Sequence, residues 1–251
     1  MRLIIQTDHD CITLTDHPEN RHDFWCIKED GVSGLYGTPA VRESPTDRPQ
    51  ASGAYWPSRL TQKPRSVSID AYVMTPSSLD AAMARERVNN LVGRELILIE
   101  ETPLGRRMMT GYLASDPEPT MRLWAHRAFE FGLVVTCPDP LRYGPEQSFQ
   151  AMASTCVVVN GGNAPTWPRI QVTGPVKTLK VRLSDTDEDG LVVWQGDGKD
   201  GLDLDFRDMV PSSGTVTDDH AFPIPPGTHR LTVETGSAEA KAVVMLRPAW
   251  R

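Results

Sequence analysis

Asp185-Thr-Asp-Glu-Asp-Gly190 reproduces D-x-D-x-D-G, the opening of a calcium loop in which alternate carboxylates wrap a hard cation. The twelfth position of such a loop falls on Gly196, where a bidentate glutamate is required, and the flanks are strand-like instead of helical. The segment therefore reads mainly as a polar hairpin tip, a specific calcium site being the minor reading. His17 and His22 are five apart in a polar stretch, which matches no usual ligand spacing, and they read as surface histidines. Cys11, Cys26, Cys137 and Cys156 are scattered with no CxxC pair, so they offer no zinc ligand set and read as small buried hydrophobes.

Trp167, Trp194 and Trp250 are able to stack on a sugar ring if exposed, although a tryptophan on an alternating strand more often fills a core. No nucleophile elbow, phosphate-cradling glycine loop or HExxH is present. The carboxylates of the acidic cluster sit in loops with no sign of raised pKa. No catalytic, cofactor-binding or metal residue is assigned, and the chain reads as a non-enzyme.

The net charge of −7 is concentrated. Asp185, Asp187, Glu188, Asp189, Asp197, Asp200, Asp203, Asp205 and Asp208 face only Lys199 and Arg207, which accounts for the whole imbalance. Such a cluster repels phosphate and argues against stable nucleic-acid binding. No apolar run of about 18 residues is present, so no transmembrane helix is expected. The N-terminus lacks the basic and apolar regions of a signal peptide, so synthesis and folding in a cytoplasm are expected.

The elements that must position these residues fall into two groups. Leu3–Gln6, Ile12–Thr15 and Phe24–Ile27 read as short strands. Residues 38–63, with Pro39, Pro45, Pro49 and Pro57, cannot join a central sheet. They read as a long exposed loop, either a contact arm or an ordinary excursion. Residues 65–74 alternate and form a strand. Ser77 and Asp80 then open a helix over about 78–92 through a capping box, with Gly93 as its C-cap. A hairpin over 95–113 turns at Thr102-Pro-Leu-Gly105. Residues 121–137 read as one long strand, apolar at Met121, Leu123, Ala125, Phe129, Phe131, Leu133 and Val135. Two prolines in Cys137-Pro-Asp-Pro140 stop it, because each removes a backbone donor. One helix among strands and a meander predicts an α+β domain with an antiparallel sheet over residues 1–145.

Residues 146–251 read as strand and turn alone. Candidate strands at 156–159, 169–172, 178–183, 190–194, 203–206, 229–234 and 241–247 alternate with Gly, Pro and Asn turns. That spacing predicts a β-sandwich or jelly roll. The fold class is therefore mainly β.

Phe129-Glu-Phe-Gly-Leu followed by Asp139-Pro-Leu-Arg-Tyr143 resembles the distal tail proteins of long-tailed bacteriophages, also known as phage tail family or minor tail proteins. The resemblance continues through Asn160-Gly-Gly-Asn-Ala-Pro-Thr-Trp-Pro-Arg-Ile-Gln-Val-Thr-Gly174, Pro225-Pro-Gly-Thr-His-Arg-Leu231 and Leu246-Arg-Pro-Ala-Trp250. It implies an N-terminal ring-forming domain and a galectin-like C-terminal β-sandwich. It further implies a hexameric ring at the tail tip of a virion, joining the tail tube protein to the tail-tip hub and passing DNA without gripping it. No membrane partner and no cofactor is implied. In such a ring the 95–113 hairpin would offer a sheet edge to a neighbouring copy, which makes Leu96, Leu98, Met108 and Tyr112 the candidate ring contacts. The alternative is a carbohydrate-binding host-adhesion module built on the C-terminal sandwich.

Overall fold

The computed structural model describes residues 1–20, 22–58, 60–121, 126–152, 154–184 and 190–251. The chain divides into two compact units, Met1–Arg142 together with Arg251, and Tyr143–Trp250.

The elements of the first unit are β1 (Arg2–Gln6), β2 (Cys11–Thr15), β3 (Phe24–Ser33), β4 (Thr46–Asp47), β5 (Ala54–Tyr55), β6 (Arg65–Met74), α1 (Ser78–Asn89), β7 (Leu96–Thr102), β8 (Gly105–Leu113), β9 (Thr120–Met121) and β10 (Ala128–Cys137), with β11 (Arg142–Tyr143) at its boundary. The sheet order β8-β7-β1-β2-β3-β6-β10 returns to its start, because β10 also pairs with β8 at Val135↔Leu113 and Thr136↔Tyr112. The expected antiparallel sheet thus closes into a seven-stranded barrel, in which β2 and β3 pair in parallel at Thr15↔Cys26. Closure removes sheet edges and buries one face of every strand.

Alternation supplies that buried face. β6 and β10 pair without a slip over their full length, from Ala128↔Met74 to Cys137↔Arg65. Inward residues meet as Phe129–Val73, Phe131–Ala71, Leu133–Ile69 and Val135–Val67, all buried. Trp25 packs edge-on to both Phe129 and Phe131, at centroid distances of 6.2 and 6.1 Å.

The single strand expected over 121–137 is corrected. Met121 pairs with Phe129 and Thr120 with Glu130, so the chain reverses between β9 and β10 through a turn at His126 and Arg127. Leu123 and Ala125 lie outside the described residues. Period-two alternation continues across a hairpin as readily as along a strand, which is why the sequence did not separate them.

The helix starts where predicted: the Asp80 amide donates to Ser77 Oγ at 3.2 Å. The Asp80 carboxylate accepts from the Ser77 hydroxyl at 2.6 Å, so the expected reach back to the backbone is replaced by a side-chain pair. The helix ends at Asn89 with Asn90 as its cap, and Gly93 (φ +75°) closes the following turns. Leu79 and Met83 are exposed while Ala81, Ala84 and Val88 are buried, so its apolar residues do not lie on a single buried face.

The second unit contains β12 (Gln147–Gln150), β13 (Thr155–Asn160), β14 (Arg169–Thr173), β15 (Val176–Leu183), β16 (Leu191–Gly198), β17 (Leu202–Asp205), β18 (Thr215–His220), β19 (Gly227–Glu234), β20 (Lys241–Leu246) and β21 (Ala249–Trp250). A four-stranded sheet, β12-β20-β14-β17, and a five-stranded sheet, β13-β19-β15-β16-β18, share one core. Ile170, Leu204 and Val244 enter it from the first sheet, and Val158, Leu179, Trp194 and Leu231 from the second. This is an antiparallel β-sandwich. β12 and β18 escaped the sequence reading because both are edge strands with polar sequences, Gln-Ser-Phe-Gln and Thr-Val-Thr-Asp-Asp-His.

Candidate assembly surfaces

The structure buries two of the four predicted ring contacts. Leu96 and Leu98 are wholly buried in the barrel core. Their strand is paired on one side with β1 and on the other with β8, so the first arm of the hairpin is central and offers no open edge. Met108 is half-buried opposite Ile99, and Tyr112 is 50% exposed on the outside of β8.

Larger apolar exposure lies elsewhere in the first unit. The base of the 38–63 segment is fastened by the Val41↔Gln62 bridge, and the Arg42 amide donates to the Thr61 carbonyl at 2.9 Å. The Thr61 amide donates to Glu43 Oε2 at 2.8 Å, and the Thr61 hydroxyl donates to Oε1. These bonds hold the Glu43 carboxyl below its usual range. Farther out, Thr46 pairs with Tyr55, and the Arg48 guanidinium stands 5.7 Å over the Tyr55 ring. The segment is therefore a pinned two-stranded arm, and it presents Trp56 at 84% exposure beside exposed Tyr55 and Leu60. The sequence read this segment as a long exposed loop; its short β4–β5 pair, and the exposure of Leu79 and Met83 on α1, were not legible.

The helix face is held by Arg87. Its Nε and Nη2 both reach the Asp10 carboxylate at 2.8 Å, and its guanidinium lies 5.3 Å over the Trp25 ring. The pairing lowers the Asp10 pKa and raises that of Arg87.

Deeper in the unit two guanidinium groups are buried. Arg65 donates from Nε to the Pro140 carbonyl at 2.8 Å and from Nη1 to those of Gly34 and Leu35 at 2.9 and 3.0 Å, fixing the proline corner to the loop after β3. Burial, and the nearby Arg142 charge, lower its pKa. Arg142 Nη1 lies 3.3 Å from Glu100 Oε2, with both side chains almost wholly buried. These contacts brace the interior of the unit.

Among the described residues no cluster of His, Cys, Asp or Glu is disposed to hold a metal. Asp185, Asp187, Glu188 and Asp189 of the calcium-like segment lie outside the described residues. His17 and His22 are exposed. All four cysteines are free; Cys26, Cys137 and Cys156 are buried, whereas Cys11 is exposed, against expectation, at the tight β1–β2 turn. Burial pushes the Cys137 and Cys156 thiols up to about 11. Trp194 is core, its Nε1 donating to the Ser213 carbonyl at 2.6 Å; Trp250 is half-buried and Trp167 is 38% exposed. A polar groove of about 500 Å³ opens in the second unit between Gln171, Asp197, Lys199, Asp203 and Ser212. It has no aromatic lining, and Asp203 is already paired with Arg169.

No family model matches the sequence, and no curated protein matches it. Solved structures do match. The Dit protein of phage SPP1, described as a paradigm of the hub adsorption apparatus in phages infecting Gram-positive bacteria, superposes with a TM-score of 0.70 at 16% identity, over 99% of both chains. A chain of the phage P2 baseplate in its activated conformation with Ca superposes with a TM-score of 0.52 at 10% identity, over 97% of both chains. The form with Sr gives 0.51 at 11% identity, again over 97% of both chains. The chain is thus similar, along its whole length, to a phage tail-hub protein and to a baseplate component, and shares their fold.

Proposed function

We propose that this chain is a structural virion protein, a distal tail protein whose N-terminal barrel unit closes into a hexameric ring between the tail tube and the tail-tip hub. The observation that carries this reading is the end-to-end match to the SPP1 Dit protein, which spans both units instead of one common domain. An assembly role agrees with the chemistry of the described residues, where ionisable groups are spent on pinning loops and helices. The ring would close by heterologous contacts, each copy presenting one surface to the next copy's different surface. Trp56 and Leu60 on the arm, Leu79 and Met83 on the helix and Tyr112 on β8 are among the exposed apolar side chains from which such contacts would be drawn.

The tail tube protein and hub proteins are the partners in this reading, and DNA passes the central channel without specific contact. The site of action is the virion tail tip, after synthesis in the host cytoplasm. The C-terminal sandwich is galectin-like in this reading. Imaging of the purified protein tests the proposal: six-fold rings with an open centre support it, and a monomer at every concentration refutes it. Carbohydrate binding by the sandwich remains the second reading, and Trp167 is the most exposed of the three tryptophans weighed. Saturable binding on a glycan array, abolished by Trp167→Ala, would favour it.

A further inference from the structure

Trp56 follows directly on β5 and stands 84% exposed, while the arm that carries it is braced at two levels, by the Val41↔Gln62 bridge and the Thr46↔Tyr55 pair. A large aromatic side chain held out on a braced hairpin loses little freedom on docking, and such side chains dominate an interface when they enter a pocket.

The outer face of the barrel offers a concavity. β3, β6 and β10 place Phe24, Met74 and Ala128 in one cross-strand row and Cys26, Tyr72 and Glu130 in the next. Lys28 Nζ on β3 meets Glu130 Oε2 on β10 at 2.6 Å, so the ion pair spans β6 and walls the space on one side. The result is a slot of about 360 Å³, lined by Tyr72, Met74, Ala128 and the Lys28–Glu130 pair, with an accessible lining that is almost wholly apolar. Glu29 stands in its lining, and Asp70 lies two residues along β6 from Tyr72; both are exposed acids outside any ion pair among the described residues. The arm segment 38–63 is cationic, since Arg42, Arg48, Arg59 and Lys63 outnumber Glu43 and Asp47. Opposite net charges steer the two surfaces together.

The slot of the same chain is out of reach. β3 and β6 pair from Ser33↔Ser68, where the chain departs for the arm, to Phe24↔Met74, beside the slot. Arg65 fixes the root at the first of these ends through the Gly34 and Leu35 carbonyls. Trp56 stands as many residues before Arg65 as Met74 stands after it, a span of about 30 Å along an extended strand. Trp56 would meet its own slot only if the chain ran back fully extended along β6, which the bridge and the hairpin pairing of the arm forbid. Knob and slot thus occupy opposite ends of one strand pair, a disposition that joins successive copies by a heterologous contact.

We infer that Trp56 on the arm of one copy seats in the slot between β3, β6 and β10 of a second copy. The inference rests on the assembly reading above and names one of its contacts.

Full-length chains in a Cys11→Ser background test it, one carrying Ser58→Cys beside the knob and the other Ala128→Cys in the slot. With a short bismaleimide, the mixture is expected to give a crosslinked pair while neither variant alone does. Adding Trp56→Ala to the first chain is expected to lower the yield about tenfold, and Trp56→Phe to keep most of it. Trp56 is exposed, so circular dichroism of both variants should match the parent. A crosslink indifferent to Trp56→Ala, or one formed by the Ser58→Cys chain with itself, would overturn the assignment. Rings seen by electron microscopy with no crosslink in the mixture would also overturn it, leaving the ring reading intact. A crosslink that depends on Trp56 without rings would uphold the contact and remove the ring.

Discussion

Gly111 on β8 sits so close to Thr136 on β10 that a Cβ at Gly111 would lie 2.6 Å from the Thr136 carbonyl oxygen and 2.9 Å from Val135 Cγ1. The missing side chain is what lets the first and last strands of the barrel meet. Gly111→Val is expected to force them apart, at a cost of about 1–3 kcal/mol for overpacking. Chemical denaturation followed by tryptophan fluorescence checks it: the transition reporting the first unit should move to lower denaturant, and the transition of the sandwich should not.

The bidentate Arg87–Asp10 pair ties α1 to the β1–β2 turn. Because Arg87 lowers the Asp10 pKa, the pair's contribution is fully present above the unfolded carboxyl value, about 4, and is lost as pH falls through the lowered value. Both side chains are partly exposed, so solvent screening limits the coupling to about 0.5–1 kcal/mol. Asp10→Asn should be less stable than the parent chain by that amount at neutral pH, and the two should converge near pH 2. Stability curves measured at both pH values decide this.

The buried Glu100–Arg142 pair behaves differently, because neither partner can turn to water. Glu100→Ala strands a guanidinium in the interior and is expected to cost about 3–5 kcal/mol. Replacing both residues by apolar ones of similar volume should recover most of that loss. Urea titration of the three variants separates the penalty of a stranded charge from the net worth of the pair.

Thiol chemistry offers a check on burial. Cys137 and Cys156, with pKa values of about 11, hold roughly a thousandth of their thiols as thiolate at pH 8. A disulfide reagent added to the native protein should therefore consume one equivalent quickly, at exposed Cys11, and the remainder only on unfolding. Cys11→Ser should abolish the fast phase.

Much of this architecture was readable from alternation and punctuation. The strand at 65–74, the helix start at Ser77 and the hairpin turn at Pro103-Leu104 all follow from local rules, since each depends on neighbours in sequence. Closure of the barrel did not, because it rests on Gly111 approaching Thr136, a contact between strands with no local signature. The burial of Leu96 and Leu98 was not legible for the same reason: whether a hairpin strand is an edge depends on what flanks it, and β1 flanks this one from the far end of the sequence. Edge strands β12 and β18 were missed because polar sequences suit strands with one open side. Of the candidate contacts, Tyr112 keeps its exposure, and Trp56, Leu79 and Met83 became visible only once burial was known.

The central claim is that this polypeptide works by assembling, as a ring at the end of a phage tail. Cryo-electron microscopy of intact virions, with the barrel and sandwich fitted to the density, tests it most directly. The account predicts six copies around a central channel, at the junction of tail tube and tip. Density that places the chain anywhere else on the particle, or as a single copy off the axis, would contradict it.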